Sequence, residues 1–265
     1  GFFLRYKRVP NMQLVGWTQA NPLKRQFQVN LRNHRKALIV DGTTAFCGGI
    51  NIHDQATKGG EIRDYHFRVR GPIVLELQYT FLRDWNFMTD EGPDELLRDC
   101  YFPRPHAAGR AVARLVNGGP SVGVDALWDT FFLAVTLARR QILLVTPYFV
   151  PAPDLLRALR GAALRGVDVR LVVPRRTNHL CAGLAAEALY EELADAGVRI
   201  YRRLRPFMHA KACIVDDTVA LVGTANMDVR SLRLNYETNL AIYDTDVIGQ
   251  LKRIVCEDEA RPEEL

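Results

Sequence analysis

The sequence predicts an α/β protein of two homologous halves, each a mixed β-sheet flanked by helices, and three observations carry that prediction. HRKALIVDGTTAFCGGINI (His34 to Ile52) and HAKACIVDDTVALVGTANM (His209 to Met227) align without a gap, with 10 identities in 19 positions. Such self-similarity marks an internal duplication. Ahead of the second copy, segments of strand period alternate with segments of helical period, the pattern of a sheet covered on both faces. Behind each copy a strand and then a helix follow at matching distances.

Composition sets the bounds. With 265 residues, 48% hydrophobic and 25% charged, the chain has the make-up of a globular protein. Its longest apolar runs, Phe131 to Ala138 and Ile142 to Val145, fall short of the ~20 residues a membrane-spanning helix needs. A net charge of +5 favours anionic partners, with basic clusters at Arg5 to Arg8 and Arg199 to Arg205. Five scattered cysteines without metal-ligand spacing read as free thiols of a reducing compartment. The chain opens on Gly1 with no secretory signal, the expectation for part of a longer product.

The elements follow in order. The first motif forms a strand and a hairpin return, and Asp41-Gly42 is the tight-turn signal between them. YHFRVRG is the next strand, and Pro72 to Met88 the helix after it. Pro103, Pro105 and Gly109 punctuate a join, which divides the chain into halves at 1–103 and 104–265. Apolar residues at Val124, Leu127, Trp128, Phe131, Val135 and Ala138 predict a helix, QILLVTP a strand, and Pro153 to Leu164 a helix stopped by Gly166. VDVRLVVP, a helix over Leu184 to Ala196, and VRIYRR lead into the second motif hairpin. NLAIYD and a helix over Asp246 to Cys256 close the chain. Only 33 residues precede His34, so the first half lacks most of the leading strands and helices of the second.

Strand alternation puts His34 and Lys36 on one face and Asp41 on the other. The hairpin return brings Asn51 beside them, and the second copy converges His209, Lys211 and Asn226 in the same way. Two halves facing each other would oppose two imidazoles across a pocket of cations and amides. That composition suits a phosphodiester: lysines neutralise the non-bridging oxygens, asparagines donate to them, one histidine attacks phosphorus and the other protonates the leaving alcohol. An attacking imidazole needs an acceptor on its other nitrogen. Asp41 and Asp216 cannot supply it from the opposite face. Asp64, 30 residues after His34, and Glu237, 28 after His209, are the expected orienting carboxylates.

The duplicated H-x-K-x-x-x-x-D with trailing Gly48, Gly49, Asn51 and Gly223, Thr224, Asn226 resembles the phospholipase D superfamily. Within it, NLRNHRKALIVDG, FCGGINI, RDYHFRVRGP, TPYFVPAPDLL and NMDVRSLRLNYE are similar to bacterial cardiolipin synthases. The resemblance implies the phospholipase D-like fold with its active site between the halves. It also implies a phosphatidyl transfer through a covalent phosphohistidine, with neither metal nor cofactor. It makes His34 the nucleophile and leaves Asp41 and Asp216, the remaining motif positions, to support the loops. Thr224 departs from the family's common Ser. A phosphodiesterase or nuclease of the same superfamily is the alternative. The implied partners are anionic phospholipids at a membrane surface, with no stable nucleic-acid partner. The implied location is the cytoplasmic face of the inner membrane, peripheral or anchored by a segment outside this chain.

Other residues have two readings each. Tyr148, at a strand end, is a substrate contact or a packing residue, and Arg230 holds a phosphate or pairs with an acid. Arg32 and Arg35 flank His34, where they would gather an anionic headgroup. His66 is structural or substrate-facing, while His53, His106 and His179 are loop residues. Trp85 and Trp128 pack, and Trp17 packs or touches lipid.

Overall fold

The computed structural model describes residues 6, 9–16, 32–52, 62–120, 125–177 and 179–259. Trp17, His53, Val124 and the basic cluster's Arg5, Lys7 and Arg8 lie outside the described residues.

The first half holds β1 (Ala37–Val40), β2 (Thr44–Gly48), β3 (Ile62–Arg63), β4 (His66–Arg70) and helices α1 (Ile73–Met88) and α2 (Pro93–Leu96). The second opens with β5 (Ala113–Gly118) and α3 (Ala126–Leu137), then β6 (Gln141–Val145), β7 (Phe149–Val150), α4 (Pro153–Leu164), β8 (Asp168–Pro174), α5 (Leu180–Asp195) and β9 (Arg199–Arg203). It continues through β10 (Phe207–Met208), β11 (Ala212–Val215), β12 (Val219–Gly223), β13 (Met227–Asp228), a π turn (Arg230–Leu234), β14 (Glu237–Ile242) and α6 (Thr245–Glu259).

One seven-stranded sheet, ordered β5-β14-β12-β11-β6-β8-β9, forms the centre of the second half. Its β6, β8 and β9 run parallel, and β11, β12, β14 and β5 pair antiparallel. The first half repeats one segment of it: β1-β2-β4 is a three-stranded antiparallel sheet matching β11-β12-β14. Where β11 pairs on its other side with β6, β1 is the last strand of its sheet among the described residues, and Leu38 upon it is 59% exposed.

Period-two alternation sorts the large sheet into two faces. Ile142, Leu144, Leu171 and Cys213 pack on one side with Phe131, Leu155 and Leu193 of the covering helices. Leu143, Val145, Val172 and Ile214 face the other way, toward Ala45, Cys47 and Leu77 of the first half and Ile248 and Leu251 of α6. The halves therefore meet through apolar core, and each fully buried Leu or Ile there contributes roughly 1.5–3 kcal/mol.

Both motif hairpins turn through left-handed residues, Asp41 and Gly42 at φ 51° and 62°, Asp216 and Asp217 at 54° and 60°. Positive φ at both central positions is the primed turn whose twist suits a hairpin. The remaining expected elements form, with adjustments. The helix expected from Leu184 starts at Leu180, and α6 runs on to Glu259. β5 was not expected, because Arg114 and Asn117 interrupt its apolar run, yet it pairs with β14 over six residues. Among the described residues no helix is long and apolar enough to cross a membrane.

Candidate active site

Two short parallel pairings stitch one half to the other. β10 runs beside β3, and the His209 amide donates to the Arg63 carbonyl at 2.8 Å. Asn33 bridges Tyr236 in parallel, and the His34 amide donates to the Tyr236 carbonyl at 2.9 Å. In each pairing a motif histidine from one half arrives beside a carboxylate from the other, since Asp64 follows Arg63 and Glu237 follows Tyr236.

The side chains then pair across the halves. Nδ1 of His34 lies 2.9 Å from both carboxylate oxygens of Glu237. Nδ1 of His209 lies 2.6 Å from Oδ2 of Asp64. Asp64 and Glu237 thus each lie against the histidine of the opposite copy. A histidine donating through Nδ1 keeps Nε2 for chemistry.

Glu237 has no exposed surface, and its carboxylate also accepts from Thr224 Oγ1 at 2.5 Å and Asn235 Nδ2 at 3.3 Å. The Thr224 hydroxyl therefore helps to hold the carboxylate that contacts His34. The first copy has Gly49 at that position, where a Cβ would collide with the Asp64 carboxylate. Asp64 instead takes the Tyr65 amide at 2.8 Å. Its smaller side chain and the bare glycine fit together.

Lys36 Nζ donates to the His34 carbonyl at 2.7 Å, and Lys211 Nζ approaches His209 Nδ1 at 2.9 Å and its carbonyl. Burial lowers Lys36 to about 8 and Lys211 to about 7, against the pull of the Glu237 and Asp64 carboxylates, both of which act on each lysine. Burial also lowers His209, with the Asp64 hydrogen bond opposing. Two lysines, two histidines and two carboxylates thus share one electrostatic neighbourhood.

Asn226 is buried, and no partner is present for its Oδ1 among the described residues. Asn51 is half-buried three residues beyond β2. Tyr148 follows β6 and its ring lies 5.3 Å from that of His179. β6 ends beside the start of β11, with Val145 opposite Ala212, so Tyr148 and His209 sit at the same edge of the sheet. Arg230, half-buried, opens the π turn that leads to Asn235 and Glu237.

One sequence reading needs correction, that of Arg35, and one residue was not singled out, Asp228. Asp216 is no pocket residue: its carboxylate caps the amides of Arg139, Arg140 and Gln141 at 2.6, 2.7 and 2.8 Å, and these bonds hold it low despite burial. Asp41 occupies the same turn position in the first hairpin. Arg35 does not gather a headgroup, because it turns away from the pocket to pair with Asp84 and donate to the Glu237 carbonyl at 3.3 Å. Asp228 was missed: it accepts the Ser231 amide at 2.7 Å, and burial raises it, with Glu237 adding and nearby His34 opposing. The signal was its place two residues after Asn226 in NMDVRS.

Residues 134–258 match the family model described as a cardiolipin synthase, PLD-like domain. Over that stretch the chain matches a phospholipase D-like domain of the cardiolipin synthase type. It is 41% identical over 237 residues to a cardiolipin synthase of Geobacillus kaustophilus strain HTA426, covering 87% of this chain and 47% of that one. It is 42% identical over 230 residues to cardiolipin synthase 2 of Bacillus anthracis, covering 84% and 44%. The chain thus spans about half the length of the curated relatives it matches. Among solved structures, phosphatidylserine synthase of Haemophilus influenzae Rd KW20 superposes with a TM-score of 0.63 at 17% identity, covering 90% of this chain and 64% of that one. Nuc of Salmonella typhimurium, a phospholipase D family member, superposes at 0.50 and 20% identity, with 99% of it on 59% of this chain. These two likenesses concern the fold.

Proposed function

We propose that this chain carries the catalytic centre of a phosphatidyltransferase that makes cardiolipin from two phospholipids. The observation that carries the reading is the pair of crossed histidine–carboxylate contacts, with a buried lysine beside each histidine. Nε2 of His34 attacks the phosphorus of a donor phospholipid, and the bond from phosphorus to the headgroup oxygen breaks. His209, protonated, gives its proton to that oxygen, so the headgroup alcohol leaves and a phosphatidyl-histidine remains. A hydroxyl of a second phospholipid then attacks the phosphorus, its proton passing back to His209, and His34 is released.

Two features support this division. Among the described residues His34 Nδ1 faces only the Glu237 carboxylate, whereas Asp64 and Lys211 compete for His209 Nδ1. The His34 side chain is also the more open, 29% exposed against 14%. Lys36, Lys211, Asn51 and Asn226 meet the phosphate charge, and Tyr148 and Arg230 extend the substrate contacts. The halves are 1–103 and 104–265, and the substrates are anionic phospholipids met at the cytoplasmic face of the inner membrane. Among the described residues no three His, Cys, Asp or Glu side chains gather to hold a metal ion.

The test is to incubate the full-length protein with phosphatidylglycerol vesicles and, separately, with an oligonucleotide, each with and without a chelator. Cardiolipin and glycerol should appear in both vesicle samples. Strand cleavage without cardiolipin would replace this reading with the nuclease one.

A further inference from the structure

Helices α1 and α6 hold the same place in the two halves, each following the strand after its hairpin. Val74, Leu77 and Asp84 of α1 correspond to Ile248, Leu251 and Asp258 of α6, 174 residues on in each case. All four aliphatic residues are buried. Each helix also brings one aspartate to residues that flank a member of a crossed histidine–carboxylate pair.

Those aspartates hold the neighbours of pocket residues. Asn33 and Arg35, which flank His34, both reach Asp84: Asn33 Nδ2 donates to Oδ2 at 2.8 Å and Arg35 Nη1 pairs with Oδ1. Arg63 and Tyr65, which flank Asp64, both reach Asp258: Arg63 Nε lies 3.2 Å from each oxygen, and Tyr65 Oη donates to Oδ2 at 2.7 Å. Arg203 Nη1 completes that set, and the Arg203 and Asp258 side chains are each 3% exposed.

We propose that Asp84 and Asp258 are positioning residues, one beneath each crossed histidine–carboxylate pair, that set its Nδ1 hydrogen bond by gripping the residues on either side of one partner. The gripped partner differs, the histidine in one pair and the carboxylate in the other. Each helix thus carries a carboxylate that grips two residues next to the site, and the residues gripped differ. Stability alone gives little reason for this, since a buried ion pair often gains nothing over apolar packing. Orientation does give one, because a displacement of about 1 Å at a reacting group costs on the order of 100-fold in rate.

The inference rests on His34 and His209 being the reacting pair, and its test is chosen to stand apart from that chemistry. In the full-length enzyme, the ¹⁵N shift of Nδ1 is followed for both histidines in Asp84→Asn, Asp258→Asn and the milder Asn33→Ala and Tyr65→Phe, which keep the ion pairs. Asp258→Asn and Tyr65→Phe should move the His209 signal alone, and Asp84→Asn and Asn33→Ala the His34 signal alone. The Asp variants should lower kcat roughly 10- to 100-fold with KM changed less than about twofold. Should an Asp variant not fold, its milder counterpart decides by the shift. Unmoved signals, or equal movement of both histidines in one variant, would overturn the proposal. The shifts report whatever reaction the enzyme performs, so a failed functional reading would appear separately, in the products.

Discussion

Glu237 and His34 stand 203 residues apart in the chain, and both carboxylate oxygens of Glu237 lie 2.9 Å from Nδ1 of His34. Asp64 serves His209 in the same way from the other half. Each half supplies a histidine and the carboxylate that contacts the opposite one. Glu237→Gln and Asp64→Asn should leave the circular dichroism spectrum unchanged and cut kcat by ~100-fold or more, as loss of a triad acid does. Turnover within a few-fold of the parent would refute the orienting role.

The motif aspartates should behave differently. Asp216→Asn weakens the acceptor of three backbone amides and should cost about 1–3 kcal/mol of stability with kcat unchanged. Asp41→Asn should be close to silent in both, since Asn tolerates the left-handed turn. Denaturant unfolding and steady-state rates separate the cases. A large kcat loss in Asp216→Asn at normal stability would return that residue to the chemistry.

Gly49 and Thr224 occupy equivalent positions with opposite demands. Gly49→Ala would push a methyl group into the Asp64 carboxylate and should lower kcat by ~100-fold, about the cost of displacing a reacting group by 1 Å. Thr224→Ser keeps the hydroxyl on Glu237 and should stay within about threefold, whereas Thr224→Ala should lose roughly tenfold, the worth of about one hydrogen bond to a charged group. Equal rates for Thr224→Ser and Thr224→Ala would show that the hydroxyl does not matter.

The lowered lysines give the pH profile its direction. Burial lowers Lys211 to about 7 and Lys36 to about 8 in the free enzyme, so their positive charge fades as pH rises through that range. kcat/KM, which reports the free enzyme, should begin to fall above pH ~7 and fall more steeply above pH ~8. A bound phosphodiester favours the charged lysines, so the alkaline fall in kcat should come at higher pH. A kcat/KM that stays level to pH ~10 would argue against lysines carrying the phosphate charge.

Much of this was legible in the sequence, for identifiable reasons. The hairpins, both histidine–lysine pairs and the helix over Pro153 to Leu164 follow from period and punctuation, which are local. Asp64 and Glu237 were found by asking what an imidazole lacks and which acid precedes the next strand. Their crossed pairing was not legible, because it depends on two short parallel pairings between halves, of two residues and of one, too short for any pattern. Arg35 and Asp228 were misjudged or missed for a related reason. Where a charged side chain points depends on its partner, and Asp84 lies 49 residues from Arg35.

The most direct measurement is mass spectrometry of the full-length enzyme, acid-quenched early in turnover with phospholipid donor and digested. A lipid-phosphate adduct should appear on the peptide containing His34. In His209→Ala it should still form from a donor with an activated leaving group that needs no proton, and in His34→Ala it should be absent. An adduct on the His209 peptide would reverse the two roles, and no adduct on either under rapid quench would contradict the covalent mechanism.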